Sequence, residues 1–175
     1  MSWVLLGIIV VAVAFLLASV TRRPEKNVDR AAFGHWIESL IRYYENGASL
    51  IIVDKGAQTR LRYVRSESKG DGCRVLVSIL RTPLSMRHMD ALNGECKAEC
   101  DFEGEYDIDS DAVMGGALDV RNIWATGAGE RCARVAHKAH AVMGVSADAR
   151  FDLSFRGTRS LERTAHAREK LKDGG

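Results

Sequence analysis

An α+β fold is predicted, an antiparallel sheet of about five or six strands with helices packed on it, preceded by one N-terminal transmembrane helix. Three observations carry this. Runs rich in Val, Ile and Leu follow one another at residues 49–53, 59–65 and 73–81, separated by turn residues rather than by helices, so that neighbours pair antiparallel. Stripes of helical period stand before, between and after the strands, which suits helices set on a sheet better than alternating βαβ units. Trp3 to Val20, finally, is an unbroken apolar run without a charge.

That run comes first in the chain and sets its organisation. At about 1.5 Å per residue it spans roughly 27 Å, close to the hydrocarbon thickness of a bilayer. It has no basic front, it is long for a signal core, and Ala18-Ser19-Val20 is a poor cleavage site, so a retained anchor is expected. Arg22, Arg23, Lys26 and Arg30 follow directly, and basic residues prefer the cytoplasmic side. The expected layout is an anchor over 1–21, a juxtamembrane joint over 22–29, an α+β domain over 30–157 and a polar basic tail over 158–175. The bilayer is the partner expected for residues 3–20, at the cell (inner) membrane, with the domain in the cytoplasm.

Within the domain, Asn27 or Asp29 is placed to cap a helix running to Glu45, whose apolar stripe is Phe33, Trp36, Ile37, Leu40, Ile41 and Tyr44. Asn46-Gly47 ends it. Ser49–Val53 and Thr59–Arg65 read as strands about an Asp54-Lys55-Gly56 turn, and Cys73–Arg81 as a third. Thr82-Pro83 opens a short helix that Gly94 closes. From Glu95 to Asp111 apolar and acidic residues alternate strictly. One strand of that length would reach about 56 Å, so a hairpin is predicted, turning at Glu103-Gly104-Glu105 with Phe102 facing Tyr106 and Cys100 facing Ile108. The glycines of 113–129 obscure any pattern. Glu130–Met143 is a helix ended by Gly144, and residues 149–156 are a last alternating strand.

Several groupings invite chemistry, and each has a plainer account. Cys96, Cys100, Cys132, His137 and His140 suggest zinc. In a strand, however, Cys96 and Cys100 sit about 13 Å apart, too far to share a metal or a disulfide, and His137 and His140 read as partly solvated. The four cysteines are expected as free thiols. Asp107-x-Asp109-x-Asp111 begins like a calcium loop, but Ala112 and Leu118 stand where Gly and Glu are required. Gly127-x-Gly129-x-x-Cys132 lacks the third glycine of a dinucleotide loop, and Ser66-x-x-Lys69 lies in a turn signal rather than at a helix start. No cofactor is expected. The tail cations lack interleaved aromatic residues, so nucleic acid is not expected either, and the net charge of +2 adds no argument for it.

The element order resembles that of type III secretion chaperones and the related YbjN-like domains, over roughly residues 30 to 155. The segments that carry the resemblance are Trp36-Ile37, ENGASLIIVDKG at 45–56 and VLVSILRTPLS at 75–85. It implies helices on a strongly bent antiparallel sheet, and the binding of peptide segments of other proteins. With no catalytic constellation in the sequence, a non-enzymatic binding module is the expectation. The acidic row Glu99, Asp101, Asp107, Asp109 and Asp111 is the candidate surface for a basic protein or peptide. The competing reading is a metal-binding or enzymatic domain using the Cys and His residues near the last helix.

Overall fold

The computed structural model describes residues 25–54, 56, 59–67, 72–81, 86–105, 112–124 and 127–165. Seven strands form one antiparallel sheet: β1 (Glu25–Val28), β2 (Ser49–Asp54), β3 (Thr59–Glu67), β4 (Cys73–Arg81), β5 (Asp101–Glu105), β6 (Ala112–Val120) and β7 (Phe151–Arg156). Their spatial order is β1-β7-β2-β3-β4-β6-β5. Among the described residues three longer α-helices accompany them: α1 (Phe33–Tyr43), entered through a 3-10 turn at Arg30–Ala32, α2 (Met86–Cys96) and α3 (Ala128–Val142). The α+β class is as the sequence predicts. The apolar run at 3–20 and most of the basic tail lie outside the described residues, among which no helix is long and apolar enough to cross a membrane.

Local chemistry accounts for the elements. Asp29 caps the 3-10 turn, its carboxylate accepting from the Ala32 amide at 3.2 Å. α1 then buries Phe33, Ile37, Leu40 and Ile41, an amphipathic stripe turned to the sheet. α3 buries Cys132, Ala133, Val135, Ala136 and Ala139, mostly small side chains that let it lie close to its neighbours. From the sheet, Leu50, Ile52, Leu61, Tyr63, Val75, Val77, Ile79, Met114, Leu118, Phe151 and Leu153 complete the core. Arg65 is also inside, 2 % exposed. Its Nε donates to the Ile41 carbonyl at 3.1 Å and its Nη1 to Asn46 Oδ1, so a buried cation closes the C-terminal end of α1.

α1 and α3 touch backbone to backbone. A Cβ on Gly129 would overlap the Gly34 carbonyl oxygen and stand 2.8 Å from Glu38 N. Glu38 of α1 accepts from the Gly129 amide at 2.6 Å, capping α3 from a neighbouring helix.

Several expectations are corrected, beginning with the strand count: the sheet has seven strands rather than about five or six, because β1 joins it from the predicted joint. Part of the predicted joint is a strand: β1 pairs with β7, Val28 opposite Phe151. Gly94 does not close α2, which runs on to Cys96, because Met89, Leu92 and Cys96 bury one helical face while Gly94 lies on the exposed side. The period-two segment 95–111 is not one hairpin. Its start belongs to α2 and the following turn, and only Asp101–Glu105 is described as strand. The partner of β5 is not 106–111 but β6, with Phe102 opposite Gly116 and Glu105 opposite Val113. Residues 106–111, including Tyr106 and Ile108, connect the two strands and lie outside the described residues. Gly116 is what admits this register, since a Cβ there would meet Cys100 Sγ at 2.6 Å and Phe102 at 2.7 Å.

Candidate functional site

The other face of the sheet is open over β3, β4 and β6 among the described residues, while Ser49 and Ile51 on β2 are buried there too. Strand register arranges that face in rows. One row runs Arg156, Ser49, Val64, Leu76, Ala117, Asp101 across six strands. The next runs Ser154, Ile51, Arg62, Ser78, Gly115, and a third Asp152, Val53, Arg60, Leu80, Val113. Apolar side chains therefore occupy the middle strands, with charged ones interspersed. Leu76 is 40 % exposed, unusual for a leucine at the centre of a sheet. A shallow cleft of about 500 Å³ opens beside it, lined by Arg74, Leu76, Ser78, Asp101, Val113 and Ala117. On β4 and β6, Arg74 holds Asp119 in a two-bonded pair at 2.8 and 3.1 Å. That pairing keeps the Asp119 carboxyl below its usual range.

The acidic row singled out in the sequence is divided by the fold. Glu99 lies in the turn between α2 and β5 and faces α3, where Arg134 at 3.1 Å and Lys138 at 3.4 Å hold it. Partial burial pushes its pKa up, but those two partners outweigh it and keep the carboxyl low. Asp101 starts β5 and lines the cleft on the uncovered side. Asp107, Asp109 and Asp111 lie outside the described residues. The structure thus separates Glu99 from Asp101, since the turn ends and the extended chain begins between them.

The Cys and His residues are interior. All four cysteines are buried free thiols. Burial above all pushes Cys73 and Cys96 up to about 11, and Cys100 and Cys132 up to about 12, far from the range of reactive thiolates. Cys96 and Cys100 are not strand neighbours: Cys96 ends α2, and the Cys100 thiol faces the Cys96 carbonyl at 3.6 Å. His140 is not solvated, as its position on the helix had suggested, but 1 % exposed and stacked on Phe151 at 4.8 Å. Desolvation, reinforced by Arg30 and His137, lowers its pKa to about 3. His137 lies nearer the surface, 3.4 Å from the Arg30 carbonyl. Among the described residues no group of three His, Cys, Asp or Glu side chains is arranged to hold a metal ion. The paired glycines of 127–129 have packing roles: Gly127 starts α3 at φ +90°, and Gly129 admits α1. Ser66 lies in β3, and Lys69 lies outside the described residues.

One grouping escaped the sequence reading. Lys97, Arg121 and Arg131 surround a second cleft of about 500 Å³ where β5 begins and β6 ends. They are separated by 24 and 10 positions in the chain, so no local pattern announced them. No family model matches the chain, and no curated protein or solved structure matches it either.

Proposed function

We propose that this chain is a single-pass membrane protein whose α+β domain, on the cytoplasmic side, holds a segment of another protein against the uncovered face of its sheet. The observation that carries this reading is the one-sided sheet, with Leu76 exposed beside a cleft at its centre. Around Leu76 the half-buried Val64, Leu80, Val113 and Ala117 continue the apolar surface between charged residues, as a contact surface requires. The cleft borders β6 and the edge strand β5, whose outer side pairs with no strand among the described residues and can receive an extended segment. A further support is the order of residues 33–142: helix, three strands, helix, two strands, helix. It is the order on which the resemblance to type III secretion chaperones and YbjN-like domains rests, and with it goes the holding of peptide segments. A basic partner remains the expected complement for Asp101 and the acidic stretch that follows it, mainly through on-rate.

The decisive experiment is site-specific photocrosslinking of the full chain in native membranes. A photoreactive residue at Leu76 should capture a discrete partner, and one at Arg87 on α2 should not. Capture from Arg87 alone would move the interface to the helical side. The anchor is checked separately. The protein should resist carbonate extraction with its N-terminus intact, whereas a mature N-terminus near residue 20 would make the apolar run a signal peptide. A C-terminal alkaline phosphatase fusion should be inactive and a fluorescent-protein fusion bright, and the reverse would place the domain outside.

A further inference from the structure

Among the described residues, the cleft at the end of the sheet is lined by more cations than carboxylates. Lys97, Arg121 and Arg131 line it together with Asp101 and Asp119. Asp119 is already engaged through both oxygens by Arg74. Nearby Glu99 is engaged by Arg134 and Lys138. Asp101 is left as the one lining carboxylate outside an ion pair among the described residues, facing three cations. All three cations are exposed. The Arg131 guanidinium is steadied by one bond, Nη2 to the Glu99 carbonyl at 3.1 Å, with its remaining N–H groups uncommitted among the described residues. A second cleft, of about 240 Å³, adjoins the first and shares Asp119, Arg121 and Arg131 with it. The N-terminus of α3 is already served by Glu38 at Gly129, so side chains supply the charge.

We propose that Lys97, Arg121 and Arg131 form a binding site for a phosphate-bearing anion at the β5–β6 end of the sheet. Two guanidinium groups suit the planar, two-bonded recognition of phosphate oxygens, and a lysine adds a mobile point charge. The lining is polar, and the volume lies within the range of small-ligand sites. A dianion gains more from three cations than a single carboxylate such as Asp101 does. The ligand is either a soluble phosphate ester or the phosphomonoester of a lipid headgroup, since both present the same oxygens. This site adjoins the cleft of the protein-binding reading and shares Asp101 and Ala117 with it, but its three cations line only this side.

The test uses the full chain in neutral-detergent micelles. Pyrophosphate, titrated calorimetrically, should bind saturably, and more weakly as salt rises. Arg121→Gln, which removes a side chain with no bonded partner among the described residues, should weaken binding about tenfold, equivalent to about 1.4 kcal/mol. Arg121→Gln with Arg131→Gln should abolish it, while Arg150→Gln, paired with Asp29 elsewhere, should leave it unchanged. Unchanged unfolding temperatures for Arg121→Gln and Arg150→Gln exclude misfolding as the cause. The second arm dopes the micelles with phosphatidic acid. Competition with pyrophosphate assigns the site to a lipid headgroup, and its absence to a soluble ester. No saturable heat up to about 10 mM in either arm would overturn the proposal. So would pyrophosphate binding that Arg121→Gln leaves intact.

Discussion

Replacing Gly129 with alanine tests the closest helix contact in the domain. The new Cβ would overlap the Gly34 carbonyl oxygen and press within 2.8 Å of Glu38 N and Cβ. Two of those three atoms are backbone, so relief requires α1 and α3 to separate. Forcing a methyl group into such a contact costs about 1–3 kcal/mol. Separation also stretches the 2.6 Å bond from the Gly129 amide to the Glu38 carboxylate. A charge-assisted bond of that kind contributes about 1–2 kcal/mol. Alanine returns about 1 kcal/mol of helix propensity. The net loss is therefore about 1–4 kcal/mol, or several degrees in Tm for a domain of this size. Gly34→Ala is the matched comparison. The three atoms nearest its Cβ all belong to the carboxylate end of Glu130, an exposed, flexible side chain that can swing aside. That change should fall within about 0.5 kcal/mol of neutral. Urea unfolding of the full chain in detergent, followed by circular dichroism, reads both. Equal losses, or a neutral Gly129→Ala, would refute the account of the α1–α3 contact.

Other consequences are independent of that crossing. Gly94 is exposed in α2, and a Cβ added there would meet nothing within 4 Å, so Gly94→Ala should stabilise by about 0.5–1 kcal/mol in the same unfolding assay. Arg65→Met should cost about 1–3 kcal/mol, because it strands the buried Ile41 carbonyl, while the exposed Asn46 Oδ1 can turn to water. His140 titrates near 3 in the fold and near 6.5 when unfolded, so the unfolded chain gains its proton first as pH falls. Stability should therefore drop from about pH 6.5 downward, by about 1.4 kcal/mol per unit until the folded pKa is reached. His140→Gln should remove that slope, and an identical pH profile in the variant would show that carboxylates alone govern it. The four buried thiols should react with an aromatic disulfide reagent at pH 8 only as fast as the protein opens, and all at once in denaturant. A rapid stoichiometric burst from the native protein would contradict their burial.

Much of the domain was legible because its signals were local. Cys73–Arg81 has the predicted bounds, and Phe33, Ile37, Leu40 and Ile41 announce the buried side of α1 by their spacing alone. The uncharged run at 3–20 carries its expectation in hydropathy, with no tertiary information required. Periodicity misled where two periods overlapped. Met89, Leu92, Cys96 and Cys100 are spaced as a helix spaces its inner face, while residues 95–111 also alternate like a strand. The helical reading prevailed for Cys96 because α2 packs against α3 and the end of the sheet, a contact that no window of sequence contains. Only the tertiary structure could recruit Glu25–Val28 as a strand, since its pairing with β7 uses backbone bonds and three of its four side chains are polar and exposed. Only chain folding could set Glu99 against α3 while Asp101 faces the open side, or gather Lys97, Arg121 and Arg131 around one cleft. Local pattern records which side of an element is apolar. Which elements meet, and hence which distant charges share a site, depends on long-range packing that the pattern does not encode.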